Sequence, residues 1–281
     1  MDARFDRTTE DVGNIVKLEH VNVTMPDQRL ATLFYVTGLG LTRDPYLMTG
    51  IDNMWVNVGE SQFHLPTGRP QVLRGTIGLV VPDRAALVAR LRSVERALDG
   101  TRFAFRPHDD FVDITCPWGN RIRCHAPDRA TFGARTLGMA YVEFDVPRGT
   151  AHAIAAFYRE VLDAPARVDG ATAVITSGAR QSLRFRESDA PVAPYDGHHI
   201  QIYIADFSSP YKRLASRGLV SMETDEHEYR FIRIVDAAGD TQFELEHEVR
   251  SLRHPLYGRP LVNRNPEQTN RAYVPGRDAF A

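Results

Sequence analysis

The chain has 281 residues, with 34 basic against 36 acidic side chains, a formal net charge of −2, and hydrophobic and charged fractions of 43% and 25%. That is ordinary globular composition, and its interspersed signs exclude a polyanion such as nucleic acid, or an anionic membrane surface, as the expected partner. No apolar run reaches the roughly 18 residues of a membrane span, the opening MDARFDRTTEDVG carries four acids and no apolar signal core, and Cys116 and Cys124 are too few for a disulfide framework. The expectation is a cytoplasmic protein whose two cysteines are reduced and packed in neighbouring strands of one hairpin.

Taken in chain order, the elements repeat with a period of about sixty residues. Four alternating strands, LEHVNVTMPD, GTIGLVVPD, AYVEFDVP and HHIQIYIAD, each run into a proline or aspartate. After them come stretches with apolar residues at helical spacing: LATLFYVTGLGL, RAALVARLRSVERALDG, AHAIAAFYREVLDA and SPYKRLASRGL. Gly38, Gly100 and Gly218 stand near three of the helix ends, where a left-handed cap is wanted. Shorter alternating segments then close each unit, from MWVNVG and SQFHLPTG in the first to YRFIRIVDAAG and TQFELEHE in the fourth. The repeating unit is βαβββ, and the fold class is α+β. The last residues, 251–281, carry prolines and turn signals without helical period, and read as an extended arm in which Tyr257, Arg259 and Asn263 are candidates for lid or subunit contacts.

With its EHVNV and HHIQI openings and its IVDAAGDTQFELE close, the chain resembles the vicinal oxygen chelate superfamily, which includes glyoxalase I, methylmalonyl-CoA epimerase, antibiotic-resistance proteins and the type I extradiol dioxygenases. The resemblance covers four modules, 16–66 and 74–127 in an N-terminal pair (16–127), then 137–187 and 197–250 in a C-terminal pair (137–250). It implies that modules associate in twos, each two forming a half-open mixed-sheet barrel around a divalent metal whose ligands come from the opening and closing strands. Aligned on that pattern, the opening positions hold His20, Thr76, Tyr141 and His199, and the closing positions His64, Arg123, Arg184 and Glu244.

Imidazole and carboxylate suit a first-row divalent ion, whereas a guanidinium, always protonated, cannot ligate. The spacing from opening to closing position is 44 residues in module 1 and 45 in module 4. Modules 1 and 4 therefore pair around a metal held by His20, His64, His199 and Glu244, and modules 2 and 3 pair without one. The segment GDTQFE has one residue more between glycine and glutamate than the family's usual three, which suggests a bulge and keeps Glu246 as the alternative to Glu244. His64 reads either as a fourth ligand or as an outer partner that orients one.

The resemblance is strongest to hydroquinone-cleaving members, so the expected function is an Fe(II) ring-cleaving dioxygenase using O2 on a small dihydroxylated aromatic; Mn, Zn, Ni or Co are the other candidate metals. Asn22 and Gln201, two residues beyond ligands on the same strand face, are candidates for binding substrate oxygens, and Arg233 for an anionic group. Tyr229, of the same parity as Arg233, could supply a phenol. His198 is the acid/base candidate, although strand parity turns it outward unless the strand end frays. Two other readings stand beside this one: an isomerase, epimerase or lyase that stabilises an enediolate on the same ligands, and a metal-free binding protein. A homo-oligomer is compatible with all three.

Overall fold

The computed structural model describes residues 7–46, 52–261, 265, 267–268, 273–274 and 276–277. Alternation decides the strands. In β13 (His199–Ile204), Ile200, Ile202 and Ile204 enter the apolar core, while His199, Gln201 and Tyr203 take the other face.

All four units have the expected order. Module 1 is β1 (Ile15–Asn22), α1 (Gln28–Ala31), β2 (Thr42–Arg43), β3 (Asn53–Val58) and β4 (Ser61–Pro66); module 2 is β5 (Gly75–Val80), α2 (Arg84–Val94), β6 (Ala104–Pro107), β7 (Phe111–Thr115) and β8 (Arg121–His125). After a short α3 (Arg129–Phe132), module 3 is β9 (Gly138–Pro147), α4 (Ala151–Leu162), β10 (Ala166–Asp169), β11 (Thr172–Thr176) and β12 (Ser182–Ser188). Module 4 is β13, α5 (Ser208–Ser216), β14 (Val220–Asp225), β15 (Glu228–Val235) and β16 (Thr241–Ser251).

The aspartates that end the first two openings cap the helices after them. Asp27 accepts from the amides of Arg29 and Leu30, and Asp83 from that of Ala86. The first helix departs from expectation: beyond Ala31 it widens into π-helix over Thr32–Gly38, with the Leu39 amide bonding back to the Phe34 carbonyl. The left-handed turn consequently falls at Gly40 (φ 73°) and not at Gly38.

Two eight-stranded mixed sheets result, ordered β14-β15-β16-β13-β1-β4-β3-β2 and β10-β11-β12-β9-β5-β8-β7-β6. Modules 4 and 1 make the first and modules 3 and 2 the second, as the ligand distribution requires. Within each module the opening and closing strands are parallel neighbours, and the two opening strands of a sheet meet antiparallel, β1 on β13 and β5 on β9.

One apolar cluster runs through both sheets and their helices. On α4, Phe157 and Tyr158 pack on β15 and β16 of the other sheet, and the Tyr158 hydroxyl lies 2.5 Å from Nε2 of the buried His247. Gln181 stitches the sheets together at another point, its amide donating to the Leu18 and Met139 carbonyls while its oxygen accepts from the Leu18 amide. Cys116 and Cys124 are free and buried, and burial pushes the Cys124 thiol up to about 12. Among the described residues no helix is long and apolar enough to cross a membrane.

Candidate metal centre

Three imidazoles converge on one face of the first sheet. His20 on β1, His64 on β4 and His199 on β13 each offer a nitrogen, and these atoms all lie within 4.8 Å of one another. The ring of His20 is 5.7 Å from each of the other two. Two of the three are held from behind. Nδ1 of His20 lies 2.7 Å from the Glu19 carboxylate, and Nδ1 of His64 lies 2.6 Å from the Asn22 amide nitrogen. Neighbours in a regular strand point to opposite faces; the register shift between Leu18 and His20 is what brings Glu19 and His20 together. Trp55, from β3, stacks on His64 at 3.8 Å and meets His20 edge-on at 4.9 Å.

The Nε2 atoms of His20, His64 and His199 are buried and without a hydrogen-bond partner. Burial, reinforced by the neighbouring imidazoles, lowers the pKa of His64 to about 2, and burial likewise depresses that of His199. Both are therefore neutral, and His64 offers a lone pair at Nε2 when the Asn22 amide turns its oxygen, as acceptor, toward Nδ1–H. Burial opposes ionisation of Glu19, yet the hydrogen bond and charge of His20 hold its pKa down to about 2.

The register places the carboxylate of Glu248 beside these three imidazoles. In the repeat, Asn22 of β1 faces His64 of β4, and at the equivalent place Gln201 of β13 faces Glu248 of β16. One Glu248 oxygen lies 3.5 Å from Nε2 of His199. Arg230 reaches Glu248 at 2.6 Å and Arg250 reaches it at 2.5 Å; Arg230 also pairs with Glu246 and Glu228, and Arg250 with Glu228. Burial works against the charge of Glu248, but Arg250 first and then His199 keep its pKa well below the carboxylate range.

Several sequence expectations are corrected. Glu244 has the right strand parity but is exposed, near the turn and opposite Arg233, four residues short of the centre. The reason is hairpin length: β16 runs eleven residues where β4 runs six, so counting from the closing glycine stops too early. Glu246 is closer, 3.7 Å from Nδ1 of His199, and is engaged by Arg230. Arg233 is exposed because a register shift between Phe231 and Arg233 breaks the alternation, and the inward arginine of β15 is Arg230.

Tyr229 lies on the opposite face, packed against Phe207 and Tyr211 beside α5, and cannot reach a substrate at the imidazoles. His198 also points away, its Nδ1 held 2.6 Å from Asp196, as parity indicated. Of the two residues expected to bind substrate oxygens, Asn22 is engaged by His64, whereas Gln201 is buried opposite His20 with both side-chain polar atoms unpartnered. Missed altogether were Glu19, Trp55, Arg230, Glu248 and Arg250; for Glu248 the signal was present in the alternation of TQFELEHEVR, which carries a glutamate at every second place beyond Gln242.

No protein-family profile and no curated protein matches the chain by sequence. Solved structures do. Glyoxalase I from Zea mays is similar at a TM-score of 0.56 and 13% identity, over 88% of this chain and 95% of that one. A Bacillus subtilis protein described as a putative dioxygenase is similar at a TM-score of 0.55 and 14% identity, over 85% and 86%. The chain therefore has the vicinal oxygen chelate fold, with modules 1 and 4 sharing the sheet that carries the imidazoles.

Proposed function

We propose that the chain is a metal-dependent enzyme whose divalent cation is held by His20, His64, His199 and Glu248, and that it acts as a ring-cleaving dioxygenase on a small dihydroxylated aromatic. The observation that carries the reading is the convergence of three imidazoles whose Nε2 atoms are buried and without a hydrogen-bond partner, because buried polar groups without partners are costly and rare unless something binds them. The donor set suits Fe(II), with Mn, Zn, Ni or Co as the other ions it would accept. A carboxylate has about four lone-pair sites, so Glu248 can accept from two arginines and still offer an oxygen to a cation. The chemistry such an ion supplies is Lewis acidity toward a substrate hydroxyl and, for Fe(II), electron exchange with O2.

The chain's own residues do the rest. Glu19 and Asn22 fix the ring orientations of His20 and His64. Trp55 supplies an aromatic wall, and Gln201 offers one donor and one acceptor to a substrate oxygen. Because Arg230 and Arg250 both bond Glu248, that carboxylate is a poor proton acceptor, which favours a reaction that needs no carboxylate base.

A second reading, a glyoxalase-type isomerase or lyase working on an enediolate, draws support from His64. As a fourth protein ligand it would leave an octahedral ion only two places for substrate. Anaerobically prepared protein loaded with Fe(II) is expected to consume O2 when given hydroquinones or catechols. Metal bound at full occupancy without O2 uptake across that panel would give way to the isomerase reading, and failure to bind any of the five metals would leave a metal-free binding protein.

A further inference from the structure

The sheet of modules 2 and 3 repeats the register of the first sheet with other residues at its positions. Where Asn22 faces His64 and Gln201 faces Glu248, Gly78 faces Arg123 and Glu143 faces Arg184. Where Asn22 meets His199 across the centre, Gly78 meets Tyr141; where His20 meets Gln201, Thr76 meets Glu143. The places of His20, His64, His199 and Glu248 are thus taken by Thr76, Arg123, Tyr141 and Arg184. Three imidazoles and a carboxylate have become two neutral hydroxyls and two guanidiniums, which inverts the sign of the ligand that fits.

The side chains around these positions leave positive charge unspent. Arg184 has no carboxylate within ion-pair distance among the described residues; its Nε donates to Ser182 Oγ at 3.1 Å and its guanidinium lies 4.0 Å over the Tyr141 ring. The absence of a side chain on Gly78 makes that ring position accessible, since a Cβ there would fall 2.1 Å from it. Among the described residues, Arg84 is bonded only to the backbone carbonyls of His108 and Asp109.

Arg123, in contrast, is neutralised by a two-point pair with Asp113 at 2.7 and 3.2 Å, and Glu143 is paired with Arg186. A groove of about 510 Å³ is lined by Arg84, Arg123, His125, Tyr141 and Arg184, and also by Asp110 and Asp128, so three guanidiniums stand against two carboxylates. Asp128 is committed to capping α3. Burial, and then the charges of Arg123, Arg184 and Arg84, depress the pKa of His125, whose Nε2 lies 3.0 Å from the Tyr141 hydroxyl. A local field that disfavours another cation favours an anion.

We infer that this groove is a second, metal-free binding site for a small organic anion, whose carboxylate or phosphate group is received by the guanidinium of Arg184 with the Tyr141–His125 pair beside it. A planar, permanently charged fork with free donors is what such a group requires. The site is independent of whether the first sheet holds a metal.

Titration calorimetry on the full chain in EDTA, with benzoate and inorganic phosphate as separate probes, tests it. At least one probe is expected to bind saturably, benzoate indicating a carboxylate ligand and phosphate a phosphate ester. Arg184→Gln should weaken that binding at least about tenfold, close to 1.4 kcal/mol, without changing the circular dichroism spectrum. Arg184→Lys, which keeps the charge and the stem but not the fork, serves if the glutamine variant does not fold, and should also weaken it. His20→Ala should bind as the wild type does. Absence of saturable binding of either probe, wild-type binding by an Arg184 variant, or loss of binding in His20→Ala would each overturn the inference.

Discussion

His20 is held through Nδ1 by a carboxylate acceptor and left without a partner at Nε2, which is how an imidazole is fixed when its other nitrogen is to coordinate; His64 matches it when the Asn22 amide presents its oxygen to Nδ1. The expected consequence is separable by substitution. His20→Ala and His199→Ala should lose bound metal outright after dialysis, whereas Asn22→Ala, which only releases the orientation of His64, should weaken metal affinity about 10- to 100-fold. Glu248 and Glu244 give the sharper contrast, because the sequence pattern favours one and the register the other. Metal analysis of dialysed protein should find occupancy reduced in Glu248→Gln and unchanged in Glu244→Gln; the reverse would return the carboxylate to the turn-proximal position. The arginines make this a test of a ligand and not of a charge alone, since Arg230 keeps Glu246 and Glu228 as partners when Glu248 is neutralised.

At the scale of elements, the arm after β16 folds back over module 1. Arg259 brings its guanidinium to Asp44 at 2.7 Å, with both side chains nearly inaccessible, and Tyr257 meets Tyr203 of β13 at 4.9 Å. Leu256 and Tyr273 pack on Tyr46 and Trp55, so the arm rests on the tryptophan that stacks on His64. Removing one member of a buried ion pair costs more than a surface pair would, and Arg259→Ala is expected to destabilise the fold by about 3 kcal/mol in urea unfolding. A loss within the range of a surface substitution, about 0.5 kcal/mol, would mean that the arm is not docked as described. The candidate contact at Asn263 lies outside the described residues.

This arm was legible only as a segment without helical period, because its partner, Asp44, lies more than two hundred residues away and nothing local marks the pair. The order of elements in the modules, in contrast, was legible, since each must repeat the same strand alternation and helical spacing to fold. Their pairing was legible too, because among the opening and closing positions only His20, His64, His199 and Glu244 could ligate, and all four lie in modules 1 and 4. What misled the reading was length within an element: the extra residues of the module 4 hairpin carry Glu248 past the place where a fixed spacing from Gly239 puts the carboxylate, and the shift at Phe231–Arg233 exchanges Arg233 for Arg230.

The whole molecule buries histidines in both its candidate site and its core, and that makes its stability depend on pH in a definite direction. Burial lowers the pKa of His64 to about 2 and, at the helix–sheet contact of α4, that of His247 to about 3. In the unfolded chain both take up protons below about pH 6.5. The unfolded state then binds more protons than the folded one, so stability is fully present above about 6.5 and is lost as pH falls below it. Each group contributes a slope approaching about 1.4 kcal/mol per pH unit, whereas Glu19, whose pKa is about 2 in the folded chain, adds to the loss only below about 4.5. Metal-free protein should therefore show a falling urea midpoint between pH 7 and 5. His247→Phe preserves the stack on Phe231 and removes one titrating group, so its midpoint should fall less steeply over the same range even though its value at pH 7 is lowered by the lost bond to Tyr158. Parallel curves for the two proteins would show that His247 takes up its proton in the folded state, and that the helix–sheet contact opens to admit it.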